Sequence, residues 1–347
     1  VRFQSHILVD FRHIASSEPK ELSYDKCPRT NKSRQICTVN AAVSIAVIGE
    51  SIIDIVETNG ERKEHLGGSP ANVVRGLARL GTNVLFLTHI GRDARANRFQ
   101  VEWAHEGVRL LGGSSTAKRT PTAVARIAGD GSATYEFDID WRLPTAVDLG
   151  RPALVHVGSI ATFLEPGASR LLEIVASAKQ SAIITYDPNI RPAVIGDPTA
   201  ARRRFGAMVR LSDVVKLSSD DLEWLYPGVL PLDGLSLIMG LGARLVILTT
   251  GGEGSILLSS ESIERVDARR VPVIDTIGAG DTYMSAVIDS LASMGMERLG
   301  SDELRSIGER ATAASAFCVQ HAGAEPPTRE ELDQITTATS LLMGNRK

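Results

Sequence analysis

An α/β fold is predicted for this chain: a three-layer sandwich whose mostly parallel central sheet carries helices on both faces, with a small β lid beside it. Three observations predict it. From Val43 onward, short β-branched runs alternate with helical patterns, the signature of strands buried between helix layers. Two more polar segments, near 54–66 and 120–140, interrupt that alternation with apolar residues at alternate positions. Near the C-terminus the small-residue turn Gly278-Ala279-Gly280 opens an apolar helix and is followed at once by Asp281. At 347 residues the chain is long enough for one large domain or two modest ones, with a sizeable core.

Residues 1 to about 40 carry scattered charges, as in Arg29-Thr30-Asn31-Lys32-Ser33-Arg34, show neither period, and read as a disordered leader. The apolar run from Ala41 to Gly49 is too short to span a bilayer and reads as a buried strand, Ser44 to Ile48. Asp54 to Leu66 is the first lid segment. A helix follows, with Ser69 as N-cap, Pro70 at its first position, Val73, Leu77 and Leu80 on one face, and Gly81 just past the end. Further core strands are expected at Val84 to Thr88, Leu154 to Val157, Ala182 to Tyr186, Asp213 to Leu217 and Leu245 to Thr249. Between the first two of these, Asp130-Gly131 separates Thr122 to Ile127 from Ala133 to Phe137, a second pair of antiparallel strands outside the main sheet. After Asp281, the residues Met284, Val287, Ile288, Leu291 and Met294 recur at the spacing of one buried helical face. The globular unit is placed at 41–335 and a C-terminal tail at 336–347.

Composition narrows the partner. Lys plus Arg (38) nearly balances Asp plus Glu (41), and no basic block is interleaved with aromatics, which speaks against nucleic acid and against an anionic membrane surface. A small-molecule partner is expected. Cys27, Cys37 and Cys318 have no Cys-x-x-Cys spacing and suit a reducing cytoplasm. The chain has no Gly-x-x-x-x-Gly-Lys-Ser/Thr, Gly-x-Gly-x-x-Gly, His-Glu-x-x-His or Gly-x-Ser-x-Gly, which weakens P-loop, dinucleotide, zinc-hydrolase and serine-hydrolase readings together.

The turn at 278–281 holds the most chemistry. Glycines let successive backbone N–H groups converge on an anion, and the helix start adds partial positive charge at the same spot. Asp281 then has two readings, an N-cap carboxylate bonded to its own first-turn amides or a base beside a bound anion. Its residue type alone does not choose between them. Asp275, six residues upstream, and the glycines on both sides of Ala279 weigh toward the second.

Asp275-Thr276-Ile277-Gly278-Ala279-Gly280-Asp281-Thr282 closely resembles the C-terminal signature of the ribokinase/PfkB carbohydrate kinases, and Gly67-Gly68-Ser69-Pro70-Ala71-Asn72-Val73-Val74 resembles their N-terminal one. Two ordered signatures about two hundred residues apart are hard to obtain by chance. The resemblance runs from roughly Val43 to about Leu332. It implies a ribokinase-like fold with the lid over a sugar, and an ATP-dependent transfer of phosphate in which Asp281 is the general base and Gly278, Ala279 and Gly280 line the anion hole. By the same resemblance Asp54, Gly67, Gly68 and Asn72 face the sugar, and Asn189 and Arg191 belong to a substrate-side loop. Thr249, Gly251 and Gly254, within Thr249-Thr250-Gly251-Gly252-Glu253-Gly254, match the turn beneath ATP, although the glycines equally suit a tight turn between two strands. Ser218 and Asp221 stand where many relatives have Asn and Glu organising magnesium and phosphate. The amide is missing here, and Asp221 is expected to act on Mg2+ through water. Asp275 is expected beside a monovalent cation such as K+ or else as the cap of a turn.

Within the family the bacterial fructokinase group is nearest, on Thr134-Tyr135-Glu136-Phe137, on Gly158-Ser159-Ile160-Ala161 with Leu164-Glu165-Pro166-Gly167, and on Ser218 to Leu222. D-Fructose is therefore the expected acceptor. Ribose, 2-keto-3-deoxygluconate and nucleosides are the other acceptors, and a keto-acid kinase would show an arginine where Glu136 and Asp138 lie. A sugar-binding regulatory protein of the same fold is the reading from another class. Exposed lid strands in relatives pair between subunits, so a homodimer through the lid is expected.

Overall fold

The computed structural model describes residues 44–58, 61–128 and 132–344. The leader expected over residues 1–40, the Asp130-Gly131 turn and the last three residues of the expected tail lie outside the described residues.

The chain opens with β1 (Ser44–Ile48), β2 (Ile52–Thr58), β3 (Glu61–Gly67), α1 (Ser69–Arg79) and β4 (Asn83–Leu87). Then come α2 (Ala94–His105), β5 (Arg109–Leu110), β6 (Thr122–Ile127), β7 (Ala133–Asp138), β8 (Leu154–Gly158), α3 (Gly167–Ala178) and β9 (Ile183–Asp187). The middle continues through α4 (Pro192–Ile195), α5 (Pro198–Val209), β10 (Val214–Ser218), α6 (Ser219–Leu225), α7 (Pro231–Gly240) and β11 (Leu245–Thr249). It closes with β12 (Ser255–Ser259), β13 (Ile263–Val266), α8 (Ala279–Met294), α9 (Ser301–Cys318) and α10 (Arg329–Gly344).

The main sheet has nine strands in the order β13-β12-β11-β10-β9-β8-β1-β4-β5. Pairing is parallel from β5 through β11, and β12 and β13 add on antiparallel. Its inner strands are mostly apolar on both faces because both faces are covered. Val73, Val74, Leu77, Val287, Ile288 and Leu291 from α1 and α8 pack on one side, and Leu171, Phe205, Leu222 and Leu235 from α3, α5, α6 and α7 on the other. Each such side chain contributes roughly 1.5–3 kcal/mol on burial. The three-layer arrangement expected from the sequence is the one observed, with core strands within one residue of their expected positions.

The sheet also sets where a ligand fits. β1 lies between β4 and β8, so the chain winds outward from it in both directions, and a crevice opens at the carboxyl ends of β1 and β8. A second sheet of four strands, β3-β2-β6-β7, stands apart. It corrects the expectation in one respect: β2–β3 and β6–β7 are antiparallel hairpins, but β2 and β6 join them in parallel. Alternation of residues fixes which face a strand shows, and says nothing about which neighbour it takes.

Two helices also differ from expectation, one at its start and one at its end. Gly68, with φ 101°, is the cap residue of α1, and Ser69 is its first helical residue with no capping bond. The C-terminal end is as expected, Gly81 following Leu80 in the left-handed region. At the other helix, Met284, Val287, Ile288 and Leu291 are fully buried while Met294, in its last turn, is 39% exposed. Among the described residues no helix is long and apolar enough to cross a membrane.

Candidate active site

Asp281 is the third residue of α8, whose N-cap is Gly278 in the left-handed conformation, φ 75°. A Cβ on Gly278 would also stand 2.3 Å from the Ala324 Cβ, so glycine is required there on two counts. The Asp281 carboxylate is buried and does not cap its own helix. Its Oδ1 accepts from the Ser69 hydroxyl at 2.6 Å and its Oδ2 from the Asn72 side-chain amide at 2.7 Å, both on α1. Ser69 thus orients a carboxylate instead of capping a helix. The amides beside it are partly spent, since the Ala279 N–H donates to the Thr276 carbonyl at 3.3 Å. Among the described residues the Gly280 and Asp281 N–H groups meet no backbone acceptor, as is usual for a helix start. A turn with free amides, followed by a carboxylate held from the side by two donors, can receive an anion and a proton at adjacent points.

Gly67 lies against Asp54 and Gly68 against the Glu50 backbone, the charge of Arg191 is felt by the Asp54 and Glu50 carboxyls, and Asn72 is turned toward Asp281. In the lid, Ile52 is opposite Gly67, and a Cβ on Gly67 would sit 2.0 Å from the Asp54 Oδ2, so this glycine makes room for the carboxylate. Asp54 is exposed to solvent although protein atoms crowd around it. Burial pushes its carboxyl up to about 6, against the pull of Arg191. Glu50, just after β1, accepts from the Ala161 N–H at 3.1 Å and is pushed up to about 7 by burial, with hydrogen bonds and Arg191 opposing. Asn189 and Ser159, the non-glycine residues with positive φ among those described (36° and 55°), follow the neighbouring strands β9 and β8. Residues held in that region often border functional sites. Arg191 is exposed and donates to the Ile190 carbonyl at 3.0 Å.

A buried ion pair joins β9 to β10. Lys216 Nζ lies 2.7 Å from Asp187 Oδ2, both almost excluded from solvent. Burial lifts the Asp187 carboxyl to about 6 despite Lys216, with Asp221 and Asp281 adding to the lift. For Lys216 burial pulls the other way, yet Asp187, Asp221 and Asp281 outweigh it and hold the ammonium above its ordinary value. Ser218 caps α6 in a reciprocal box with Asp221. The Asp221 oxygens accept from the Ser218 N–H at 2.9 Å and the Ile190 N–H at 2.7 Å, which ties the 189–191 loop to β10.

The Thr249–Gly254 segment forms the expected tight turn between β11 and β12. Gly251 and Gly254 have φ of 57° and 110°, and a Cβ on Gly254 would sit 2.0 Å from the Val266 carbonyl oxygen. The Thr249 hydroxyl donates to the Leu217 carbonyl at 3.4 Å. A cavity of about 470 Å³ opens beside this turn, lined by residues including Leu230, Asp233, Thr250, Glu253, Arg265 and Asp267, and shares no residue with the Asp281 cluster. In that cluster an acid, its orienting donors and free amides converge. Asp275 accepts from the Ile277 N–H at 3.0 Å and the Gly323 N–H at 2.8 Å, fastening the turn to the closing segment. Among the described residues no group of three or more His, Cys, Asp or Glu side chains could hold a metal ion. A divalent ion here would meet single carboxylates already bonded to backbone amides, an arrangement that fits a metal carried mainly by phosphate oxygens.

Ser69, Glu50 and Lys216 are the residues missed as site members in the sequence. Lys216 left a signal, a charged side chain inside the apolar run Val214-Val215-Lys216-Leu217, where an unpaired ammonium would be very costly.

The chain belongs to the pfkB family of carbohydrate kinases: the family described as "pfkB family carbohydrate kinase" matches residues 42–331. It is therefore a sugar kinase. Probable fructokinase-7 of Arabidopsis thaliana is 28% identical over 342 residues, covering 89% of this chain and 96% of that protein. The fructokinase of Rhizobium leguminosarum bv. trifolii is 31% identical over 264 residues, covering 71% of this chain and 79% of its own. A double-mutant fructokinase of Vibrio cholerae O395, solved with fructose, ADP and potassium ion bound, has the same fold. Its TM-score is 0.75 at 24% identity, over 85% of this chain and 98% of that one.

Proposed function

We propose that this kinase transfers the γ-phosphoryl group of ATP to a primary hydroxyl of D-fructose, giving fructose 6-phosphate. The observation that carries the reading is the buried Asp281 carboxylate, held by Ser69 and Asn72 one residue beyond the glycine turn. Asp281 takes the hydroxyl proton as the new P–O bond forms, and the Gly278–Asp281 turn receives the charge on the transferring group. Asp54, Gly67, Gly68, Asn72, Asn189 and Arg191 bind the sugar, and the lid sheet excludes water from the reaction. Ser218, Thr249, Gly251 and Gly254 face the nucleotide. Mg2+ neutralises phosphate charge when bound, with Asp221 reaching it through water, and Asp275 lies beside a monovalent cation such as K+. Fructose is favoured over ribose and nucleosides by the fructokinase relatives, and over 2-keto-3-deoxygluconate also by Glu136 and Asp138, lid acids that disfavour an anionic acceptor.

The unit that acts is residues 41–335, and it works in the cytoplasm, which the cysteine pattern suits. A homodimer forms through the lid, on the support of edge strand β7, where Tyr135 and Phe137 are exposed and stacked with ring centres 6.3 Å apart. ADP release with Mg2+, with and without K+, over fructose, ribose, ketodeoxygluconate and adenosine tests the reading. Fructose should give the highest kcat/KM. Turnover on another acceptor alone overturns the choice of sugar, and sugar binding without turnover overturns catalysis by Asp281.

A further inference from the structure

The Lys216–Asp187 pair has no role in the chemistry assigned so far. Lys216 shares with Val214 the face of the sheet that α8 covers, so its side chain rises from the middle of β10 toward the start of that helix. An ammonium has three N–H donors, and among the described residues Asp187 is the hydrogen-bond acceptor that Lys216 meets. A Cβ on Gly280 would stand 3.1 Å from the Lys216 Nζ, which seats the charge directly beneath the turn, one residue before Asp281. Its field reaches Asp221 and Asp281 on one side and His156 on the other. His156 is fully buried on β8, with Nδ1 3.0 Å from the Thr185 hydroxyl and Nε2 without a partner. Burial first, and then Lys216, push that imidazole down to about 3, so it stays neutral and offers the ammonium no competing charge.

A buried lysine is costly unless its surroundings use the charge, and one aspartate does not use three donors. Phosphoryl transfer needs a fixed cation where charge develops, in a place water does not screen. We infer that Lys216 is that cation: anchored by Asp187 and seated under Gly280, it donates a remaining N–H to an oxygen of the phosphoryl group held in the 278–281 turn. This rests on the sugar-kinase reading above. In the step, the sugar oxygen bonds to phosphorus as the bond to the ADP oxygen breaks. The hydroxyl proton passes to Asp281, and Lys216 keeps its proton throughout.

The test compares Lys216→Met, Asp187→Asn and the double variant, which removes both charges and leaves no orphaned ion in the core. Lys216→Met and the double variant should each lose kcat by about a hundredfold to a thousandfold, the usual scale for one lost donor to developing charge, with the KM for ATP little changed. If the pair only holds β9 to β10, the double variant recovers activity, and the inference falls. A second readout needs no sugar: calorimetry of ADP with and without aluminium fluoride, a mimic of the transferring group. Wild-type protein should bind ADP more tightly with the fluoride, and the double variant should keep its ADP affinity while losing that gain. Retention of the gain overturns Lys216 whatever the acceptor is. Wild-type protein that shows the gain but phosphorylates no sugar overturns the acceptor alone.

Discussion

Asp281→Asn separates the chemistry of this carboxylate from its place in the fold. The substitution is nearly isosteric. The carbonyl of the introduced amide would keep the bond from Asn72 that Oδ2 now accepts at 2.7 Å, and the Ser69 hydroxyl, now 2.6 Å from Oδ1, would rotate to accept from the new NH2. Each bond falls from the charge-assisted range, about 1.5–3 kcal/mol, to the neutral range, about 0.5–1.5 kcal/mol. Relief of a buried negative charge works in the opposite direction. Net stability should therefore change by about 1 kcal/mol or less, and the melting temperature should barely move. Removal of a general base costs roughly 10²–10⁴ in turnover, equivalent to about 2.7–5.4 kcal/mol of activation free energy. Coupled ADP-release kinetics at saturating fructose, paired with calorimetric ADP binding and a thermal melt, reads all three quantities. Turnover within tenfold of wild type in a folded variant would remove Asp281 from the proton transfer. A large fall in melting temperature would instead return it to a structural role.

Gly278→Ala should destabilise the fold by about 1–3 kcal/mol and abolish most turnover, because φ 75° strains a side chain and its Cβ meets Ala324 at 2.3 Å. Gly323→Ala, with the same φ and nothing within 4 Å, is the control, and equal losses in the two variants would contradict the packing argument. If the ionised Asp54 binds the sugar, the fructose KM should rise about tenfold per unit as pH falls below its value of about 6, and Asp54→Asn should show a high KM with no such slope. Glu50 has a folded value of about 7 against an ordinary 4.5, so the native state holds a proton that the unfolded chain has released. Its contribution to stability is full below pH 4.5 and is lost as pH rises through about 7. Thermal melts of Glu50→Gln across that range should show a shallower decline than wild type, and parallel curves would rule Glu50 out as the source.

Much of this fold is readable from residue order because burial on both faces leaves so few alternatives. Val214-Val215-Lys216-Leu217 or Leu245 to Thr249 can only be inner strands, and the observed boundaries agree to a residue. The lid is readable as strands but not as a sheet, since the parallel β2–β6 junction depends on where the body delivers Thr122, not on any pattern within the strands. The site divides in the same way. Gly278 to Asp281 is a contiguous motif, whereas the side chains that donate to the Asp281 carboxylate lie 212 and 209 residues away along the chain. Ser69 misleads for a related reason. A serine before Pro70 is a strong local cap signal, but Gly68 already turns the chain with φ 101°, and the hydroxyl is free to serve a carboxylate on another helix.

Ser218 and Asp221 show why chemistry is better determined here than acceptor choice. The position where relatives carry an amide holds a cap hydroxyl, and the Asp221 oxygens are engaged by the backbone of residues 218 and 190. These bonds join the first turn of α6 to the Asn189–Arg191 loop. Asp281, the proposed base, is buried and bonded to two side chains of another helix. The residues proposed to select a sugar are Asp54, Arg191 and the lid acids Glu136 and Asp138, all exposed to solvent. Exposed groups can change with little effect on folding, so they are free to follow the acceptor, and a fold assignment alone constrains them least.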